Sequence, residues 1–247
     1  MYKNQLVYGI ITARGGSKSI PNKNIRKING KPLIYYSINT SLKSKLIDRT
    51  ILSTDSKKIL KIGKKYNCEI PFLRPKNIAK DKSTDFEVFE HLNKWFKKND
   101  KVPAYYVHLR PTHPIRSHKV IDMAIKKIIK KGNYHSLRSL SISKQTPYKT
   151  WIKKNKTIIP VIKFKKFKDA HSIPRQILPT TYWQNGYVDI IKESTISKKK
   201  SISGSKVMPF FINENSFDID YFEELKFIRK NFSKIKKLKK ESRKYPS

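Results

Sequence analysis

Residues 6–34 read LVYGIITARGGSKSIPNKNIRKINGKPLI, and the order of chemistries along this stretch decides the fold class. Leu6, Val7, Tyr8, Gly9, Ile10 and Ile11 form an apolar, largely β-branched run, the pattern of a buried strand. The run passes directly into Ala13-Arg14-Gly15-Gly16-Ser17-Lys18, a small, cationic, glycine-bearing loop. A strand that ends in such a loop is a candidate phosphate cradle. Gly15 and Gly16 let backbone N–H groups approach an anion, Arg14, Lys18 and Lys23 bring positive charge to it, and Ser17 offers a hydroxyl. The spacing is neither GxxxxGK[ST] nor GxGxxG. Gly30-Lys31-Pro32-Leu33-Ile34 closes the stretch, with Pro32 in the first turn of a helix continuing through Tyr35, Ile38 and Leu42.

Working outward, residues 49–54 read as a second strand, and Asp55-Ser56 sits where a loop caps a helix over residues 57–66. Residues 69–73 read as a short third strand, followed by Arg74-Pro75. Residues 81–85 lead into a helix over 86–97, with Val88, Phe89, Leu92 and Phe96 at helical spacing. Residues 104–109 form a fourth strand that ends in Arg110-Pro-Thr-His-Pro-Ile-Arg116. A helix through Val120, Ile121, Ala124, Ile125 and Ile128 follows, then a strand over 137–142. Strands alternating with helices in this way predict an α/β fold, doubly wound around a mostly parallel sheet. Such sheets bind ligands at the carboxyl ends of their strands, where the loops at Arg14, Asp55, Arg74 and Arg110 fall.

Between residues 144 and 185 the rhythm breaks. Pro147, Pro160, Pro174 and Pro179, together with strand-like residues 158–164, mark an insertion rather than another βα unit. The core pattern resumes over 186–191 and 207–212. Asp218-Ile-Asp220 then opens a last helix whose apolar face reads as Phe222, Leu225, Phe227 and Ile228, and residues 234–247 read as a basic tail.

With 56 Lys+Arg against 18 Asp+Glu, the 247-residue chain carries a formal net charge of +38. Such a balance suits nucleic acid or an anionic membrane surface. The lysines are spread along the whole chain with no compact basic domain, which favours compositional bias, so no specific nucleic acid is expected. The single cysteine, Cys68, allows no intramolecular disulfide and no Cys-x-x-Cys, in keeping with a reduced cytoplasm. The first 20 residues lack a basic segment followed by a long apolar core, and no apolar run approaches about 18 residues, so neither secretion nor a membrane span is expected. The six histidines fall at no metal-binding spacing.

Asp218-x-Asp220 places two carboxylates where both can face one hard cation if the segment is extended. Taken alone, capping of the following helix is the favoured explanation for one of them. The string A-R-G-G-S-K-x-I-P-N-K-N, followed by G-K-P-L-I, resembles the N-terminal motif of the acylneuraminate cytidylyltransferases, which make CMP-activated sialic acids and related nonulosonic acids. The resemblance covers roughly residues 6–231. It implies a Rossmann-like nucleotidyltransferase with an inserted dimerisation subdomain, hence a homodimer. The implied reaction is attack by the anomeric hydroxyl of a sialic-acid-like sugar on the α-phosphate of CTP, releasing pyrophosphate.

The same resemblance assigns residues. Ala13, Arg14, Gly15, Ser17, Lys23, Asn24 and Arg74 match nucleotide-side positions, with Lys23, Arg14 and Asp220 as the catalytic set and Asp218 and Asp220 as ligands of Mg2+. Asp55 matches a further shared motif, for which a capping role also suffices. Lys149, Arg175 and Asn185 match sugar-side positions; without the resemblance, Lys149 and Arg175 read as a solvated basic loop. Arginine suits the carboxylate of a nonulosonic acid. Two departures stand out: Arg110 and Gln184, both on the sugar side, replace the family's usual glutamine and arginine, respectively. They bear on which nonulosonic acid is used rather than on the reaction. A Kdo cytidylyltransferase is the nearest rival, disfavoured by Ile-Pro-Asn-Lys-Asn and Arg-Pro-Thr-His-Pro. A basic nucleic-acid-binding protein is the rival from another class.

Overall fold

The computed structural model of the chain describes residues 1–163, 167, 169–212 and 217–241. Its strands are β1 (Val7–Thr12), β2 (Lys27–Ile28), β3 (Lys31–Pro32), β4 (Arg49–Ser53), β5 (Tyr105–His108), β6 (Ser136–Ile142), β7 (Trp151–Lys154), β8 (Thr157–Pro160), β9 (Tyr182–Lys192) and β10 (Val207–Phe211). Its helices are α1 (Leu33–Lys43), α2 (Lys57–Lys65), α3 (Asp85–Asn99), α4 (His118–Lys131), α5 (Glu193–Ser197) and α6 (Phe222–Glu241). The chain divides into two compact units, one made of Met1–Ser139 with Gly186–Ser247 and the other of Leu140–Asn185.

A six-stranded mixed sheet runs in the order β10-β6-β9-β5-β1-β4. β1 pairs in parallel with β4 on one side and with β5 on the other, whereas β9 runs antiparallel to β5. Helices cover both faces of β1 and β5, which is why their sequences are apolar runs instead of alternating patterns. α3 begins at a full capping box, with Thr84 accepting from the Glu87 N–H and Glu87 accepting from Thr84, and it buries Val88, Phe89, Leu92 and Phe96. Ser56 caps α2.

A separate apolar cluster lies at one end of the sheet. Ile20, Ile28 and Leu33 from the first fifty residues pack with Ile115, Ile219, Leu225, Ile228, Phe232 and Ile235. This cluster fastens α6 to the loop after β1, and so holds the two ends of the chain's motif set together.

Several sequence expectations change here. Residues 69–73 form no strand: Glu69 makes one bridge to Ile51, and Pro71, which has no N–H, cannot extend the ladder. Pro32 is the N-cap, and α1 begins one residue later. In α6 the buried stripe is Leu225, Ile228, Phe232 and Ile235, while Phe222 and Phe227 are 39% and 52% exposed. Helical spacing starting at Leu225 selects that stripe, and the two phenylalanines fall outside it. α6 continues through Glu241, so most of the basic tail is helix, and residues 242–247 lie outside those described. The strand within 158–164 is limited to Thr157–Pro160, and Phe164 lies outside the described residues.

In the unit Leu140–Asn185, β7 and β8 form an antiparallel hairpin that exposes Trp151, Ile152, Ile158 and Ile159. Among the described residues no helix is long and apolar enough to cross a membrane.

Candidate active site

At the carboxyl ends of β1 and β5 lies a cleft of ≈ 540 Å³, lined by Thr12, Arg14, Lys23, Arg74, Asp85 and Asp220 among others. The loop after β1 is fixed at several points. Ala13 is buried, and its N–H donates to Ser53 O at 3.0 Å. The Gly15 N–H, read from the sequence as a donor to an anion, is taken by Asp55 Oδ1 at 2.8 Å. Asp55 therefore braces the loop, while the capping of α2 falls to Ser56. A Cβ at Gly15 would stand 3.0 Å from that of Ser56, whereas one at Gly16 would meet nothing within 4 Å. Gly15 is thus the glycine that lets the loop lie against the start of α2. Asn24 is buried and donates from Nδ2 to Arg14 O at 3.0 Å, so it too shapes the loop.

The cations of the loop have distinct partners. Lys23 is 13% exposed, and its Nζ lies 3.0 Å from both Asp220 Oδ1 and Ile219 O. A single ammonium thus joins the first loop to the Asp-x-Asp segment 197 residues away. Arg14 Nη1 lies 2.6 Å from Asp81 Oδ1, and Lys18 Nζ lies 2.7 Å from Asp81 Oδ2. Arg74 is buried, donating from Nε to Ser53 Oγ and from Nη2 to Ser53 O. Burial lowers its guanidinium to about 10, so it stays protonated at neutral pH.

The Asp-x-Asp segment is not the cap of α6. Glu224 Oε2 accepts from the N–H groups of Asp220 at 2.6 Å and of Tyr221 at 2.9 Å. That leaves both aspartates for other work. Burial pushes the Asp218 carboxyl above its ordinary value; a hydrogen bond with Thr112 opposes this and the charge of Asp220 adds to it. Two carboxylates that repel each other beside a phosphate-sized cleft fit a hard divalent cation completed by ligand oxygens and water. Among the described residues no set of three or more His, Cys, Asp and Glu is placed to hold a metal alone.

Arg110 is not presented as a lone cation. Nη1 lies 2.5 Å from Asp189 Oδ2 and Nη2 lies 2.7 Å from Asp85 Oδ2. Burial opposes its charge, yet the two carboxylates hold the guanidinium above its ordinary value. Arg138 Nη1 lies 3.0 Å from the same Asp189 oxygen, close enough for charge attraction though misaligned for a hydrogen bond. Arg116, partly buried, donates to Tyr187 O, Ser37 Oγ and Arg110 O, tying β9, α1 and the loop after β5 together. Burial lowers it to about 9. His108 shares a hydrogen bond of 2.9 Å with Thr12 Oγ1, and burial holds its imidazole down to about 3, so the ring is neutral.

Sequence reasoning singled out neither Asp81, Asp85, Asp189, Arg116 nor Arg138. A signal existed for two of them: Asp189 and Arg138 are charges inside apolar strand runs, and a buried charge demands a partner. The remaining expected residues belong to the unit Leu140–Asn185. There Arg175 donates to the carbonyls of Ser143 and Lys144, Asn185 is buried with its Nδ2 2.8 Å from Ser141 Oγ, and Lys149 and Gln184 are exposed.

A family model described as cytidylyltransferase matches residues 8–241. Post-translational flagellin modification protein B of Campylobacter coli is 30% identical over 223 residues, covering 88% of this chain and 91% of that protein. The CMP-N,N'-diacetyllegionaminic acid synthase of Legionella pneumophila is 29% identical, covering 87% and 90%. Pseudaminic acid cytidylyltransferase of Campylobacter jejuni is 36% identical over 120 residues, 49% of this chain and 52% of that protein, so this match spans about half the relative's length. Among solved structures, CMP:2-keto-3-deoxy-manno-octonic acid synthetase complexed with CTP superposes with a TM-score of 0.69 at 12% identity, covering 93% of this chain and 99% of that one. At that identity the likeness speaks for the fold.

Proposed function

The chain belongs to the cytidylyltransferase family, and from that premise we propose that it transfers CMP from CTP to the anomeric hydroxyl of a nonulosonic acid, releasing pyrophosphate. The observation that carries this reading is the 3.0 Å contact of Lys23 Nζ with Asp220 Oδ1, which joins the cationic loop and the Asp-x-Asp segment at one cleft. The names of the relatives that act on legionaminic and pseudaminic acids support the sugar class.

In this mechanism Arg14, Lys18 and Arg74 draw the polyphosphate into the cleft, and Ser17 offers it a hydroxyl. Lys23, held by Asp220 and the Ile219 carbonyl, directs its ammonium at the charge that develops on the α-phosphate during in-line attack. Asp218 and Asp220 would hold magnesium, which when bound neutralises phosphate oxygens and eases departure of pyrophosphate. Arg110, paired with Asp85 and Asp189, keeps the loop after β5 in place and approaches the sugar only as part of that ion-paired cluster. Lys149, Arg175, Gln184 and Asn185 are assigned to the sugar side. The exposed Trp151, Ile152, Ile158 and Ile159 support a homodimer whose second copy covers them.

The test is pyrophosphate release by the purified protein with magnesium, each of the four nucleoside triphosphates, and a panel of N-acetylneuraminic, legionaminic, pseudaminic and Kdo acids. Release requiring CTP and a nonulosonic acid is expected. Release with Kdo alone would redirect the sugar assignment, and silence across the panel would overturn the reading.

Two variants probe the residue roles. Asp220→Ala is expected to fold normally, because Glu224 supplies the α6 cap, and to lower turnover by about 10–100-fold, with partial recovery at raised magnesium. Wild-type turnover at ordinary magnesium would remove Asp220 from the ligand set. Arg175→Ala is expected to raise the KM for the sugar about tenfold, the value of a hydrogen bond to a charged group, with the KM for CTP unchanged. An effect confined to CTP would move Arg175 to the nucleotide side.

A further inference from the structure

Asp81 presents one carboxylate oxygen to each of two cations, with Oδ1 2.6 Å from Arg14 Nη1 and Oδ2 2.7 Å from Lys18 Nζ. Arg14, Lys18 and Asp81 all line the cleft. Two oxygens of one anion bridging two cations is how a phosphoryl group would engage the same pair. The carboxylate therefore stands where an anionic ligand would gain most.

The segment that carries Asp81 is built to let go. It runs from Arg74, locked on Ser53, to Thr84, locked in the capping box of α3. Between those anchors residues 75–83 contain no buried side chain. Its internal hydrogen bonds are local and exposed, such as Lys80 N to Ser83 Oγ at 2.9 Å and Ser83 Oγ to Asn77 O at 3.4 Å. A strap fixed at both ends and weakly held between them belongs to the low-stability part of a fold. Exposed ion pairs such as those of Lys18, which is 83% exposed, are also weak and readily exchanged.

We propose that Asp81 is a displaceable internal anion: it holds Arg14 and Lys18 while the cleft is empty, yields them to the incoming polyphosphate, and takes them back as pyrophosphate leaves. The return half of the cycle rests on the reaction proposed above. The first half needs only that the cleft binds polyphosphate. By this account Asp81 weakens ground-state binding of substrate and product and speeds clearance of the cleft.

The experiment is calorimetric titration of inorganic pyrophosphate into the full-length wild-type protein, Asp81→Asn and Asp81→Glu. Asp81→Asn is expected to bind pyrophosphate about three- to tenfold more tightly than wild type, the scale of two exposed ion pairs. The gap narrows at high salt, and Asp81→Glu follows wild type. Equal or weaker binding by Asp81→Asn would overturn the proposal, since it would make Asp81 a support for the two cations. Absence of binding to all three proteins would overturn it too. Wild-type titrations with CTP and ATP report separately on the nucleotide: equal affinity would sink the CTP reading and leave the Asp81 result standing.

Discussion

Replacing Lys23 by methionine is expected to lower the turnover number for pyrophosphate release by about 10²–10³, the cost of removing one preorganised donor aimed at developing charge. The geometry makes Lys23 a stronger candidate than the other cations of its loop. Its ammonium is 13% exposed and fixed by two oxygens of the segment 218–220, so it is oriented before substrate arrives. Lys18, at 83% exposed, has no comparable fixation. Methionine keeps most of the side-chain volume, so thermal stability should change little. Steady-state kinetics against CTP and sugar check the assignment. A fall of less than tenfold, or one confined to KM, would shift charge stabilisation to Arg14 or Arg74.

The second large effect is on stability. Asp189→Ala is expected to destabilise the protein by about 3–5 kcal/mol, the cost of removing one partner from a buried charge cluster. Asp189 is fully buried and serves both Arg110 and Arg138. Its loss takes from Arg138, 7% exposed, its ion-pair partner among the described residues, and leaves Arg110 with Asp85. Urea unfolding measures this directly. The double change Asp189→Leu with Arg138→Met should recover a good part of the loss, because it removes the stranded charge along with its partner. A single-variant loss below about 1 kcal/mol would show that water reaches the cluster and screens it.

The central strands, the helices on them and the cleft at the ends of β1 and β5 were legible because their signals are local. An apolar run turning into Arg14-Gly15-Gly16-Ser17 needs no distant information, and neither does the Val88, Phe89, Leu92, Phe96 stripe of α3. Local signals also misled. Residues 69–73 had the composition of a strand, but Pro71 ends the ladder after one bridge. In α6, Leu225 and Ile228 were read as core and meet the cluster around Leu33, whereas Phe222 and Phe227 only looked like core and lie outside the stripe that continues to Phe232 and Ile235.

What the sequence could not reveal is which charges meet. Asp189 announced that it needed a partner, yet nothing nearby named Arg110 and Arg138. The work of Gly15 was likewise hidden, since its N–H is committed to Asp55, 40 residues on. Arg110 follows β5, whereas Asp81 and Asp85 flank the start of α3, and the order of strands in the sheet brings these two connections to one cleft. No spacing rule relates them.

The union of Lys23 with Asp220 also has a meaning in time. Three adjacent strands at one side of the sheet, β5, β1 and β4, are all made within the first 108 residues, while the Asp-x-Asp segment and the helix that clamps it come more than a hundred residues later. A nascent chain can therefore build the nucleotide half of the cleft long before it owns the carboxylates that complete it. The contacts that close the site are among those of greatest sequence separation in the molecule, and contacts of that kind form late because their loop entropy must be met first. Competence for chemistry is then expected to come late in folding, once the segment 218–220 has docked on the first loop.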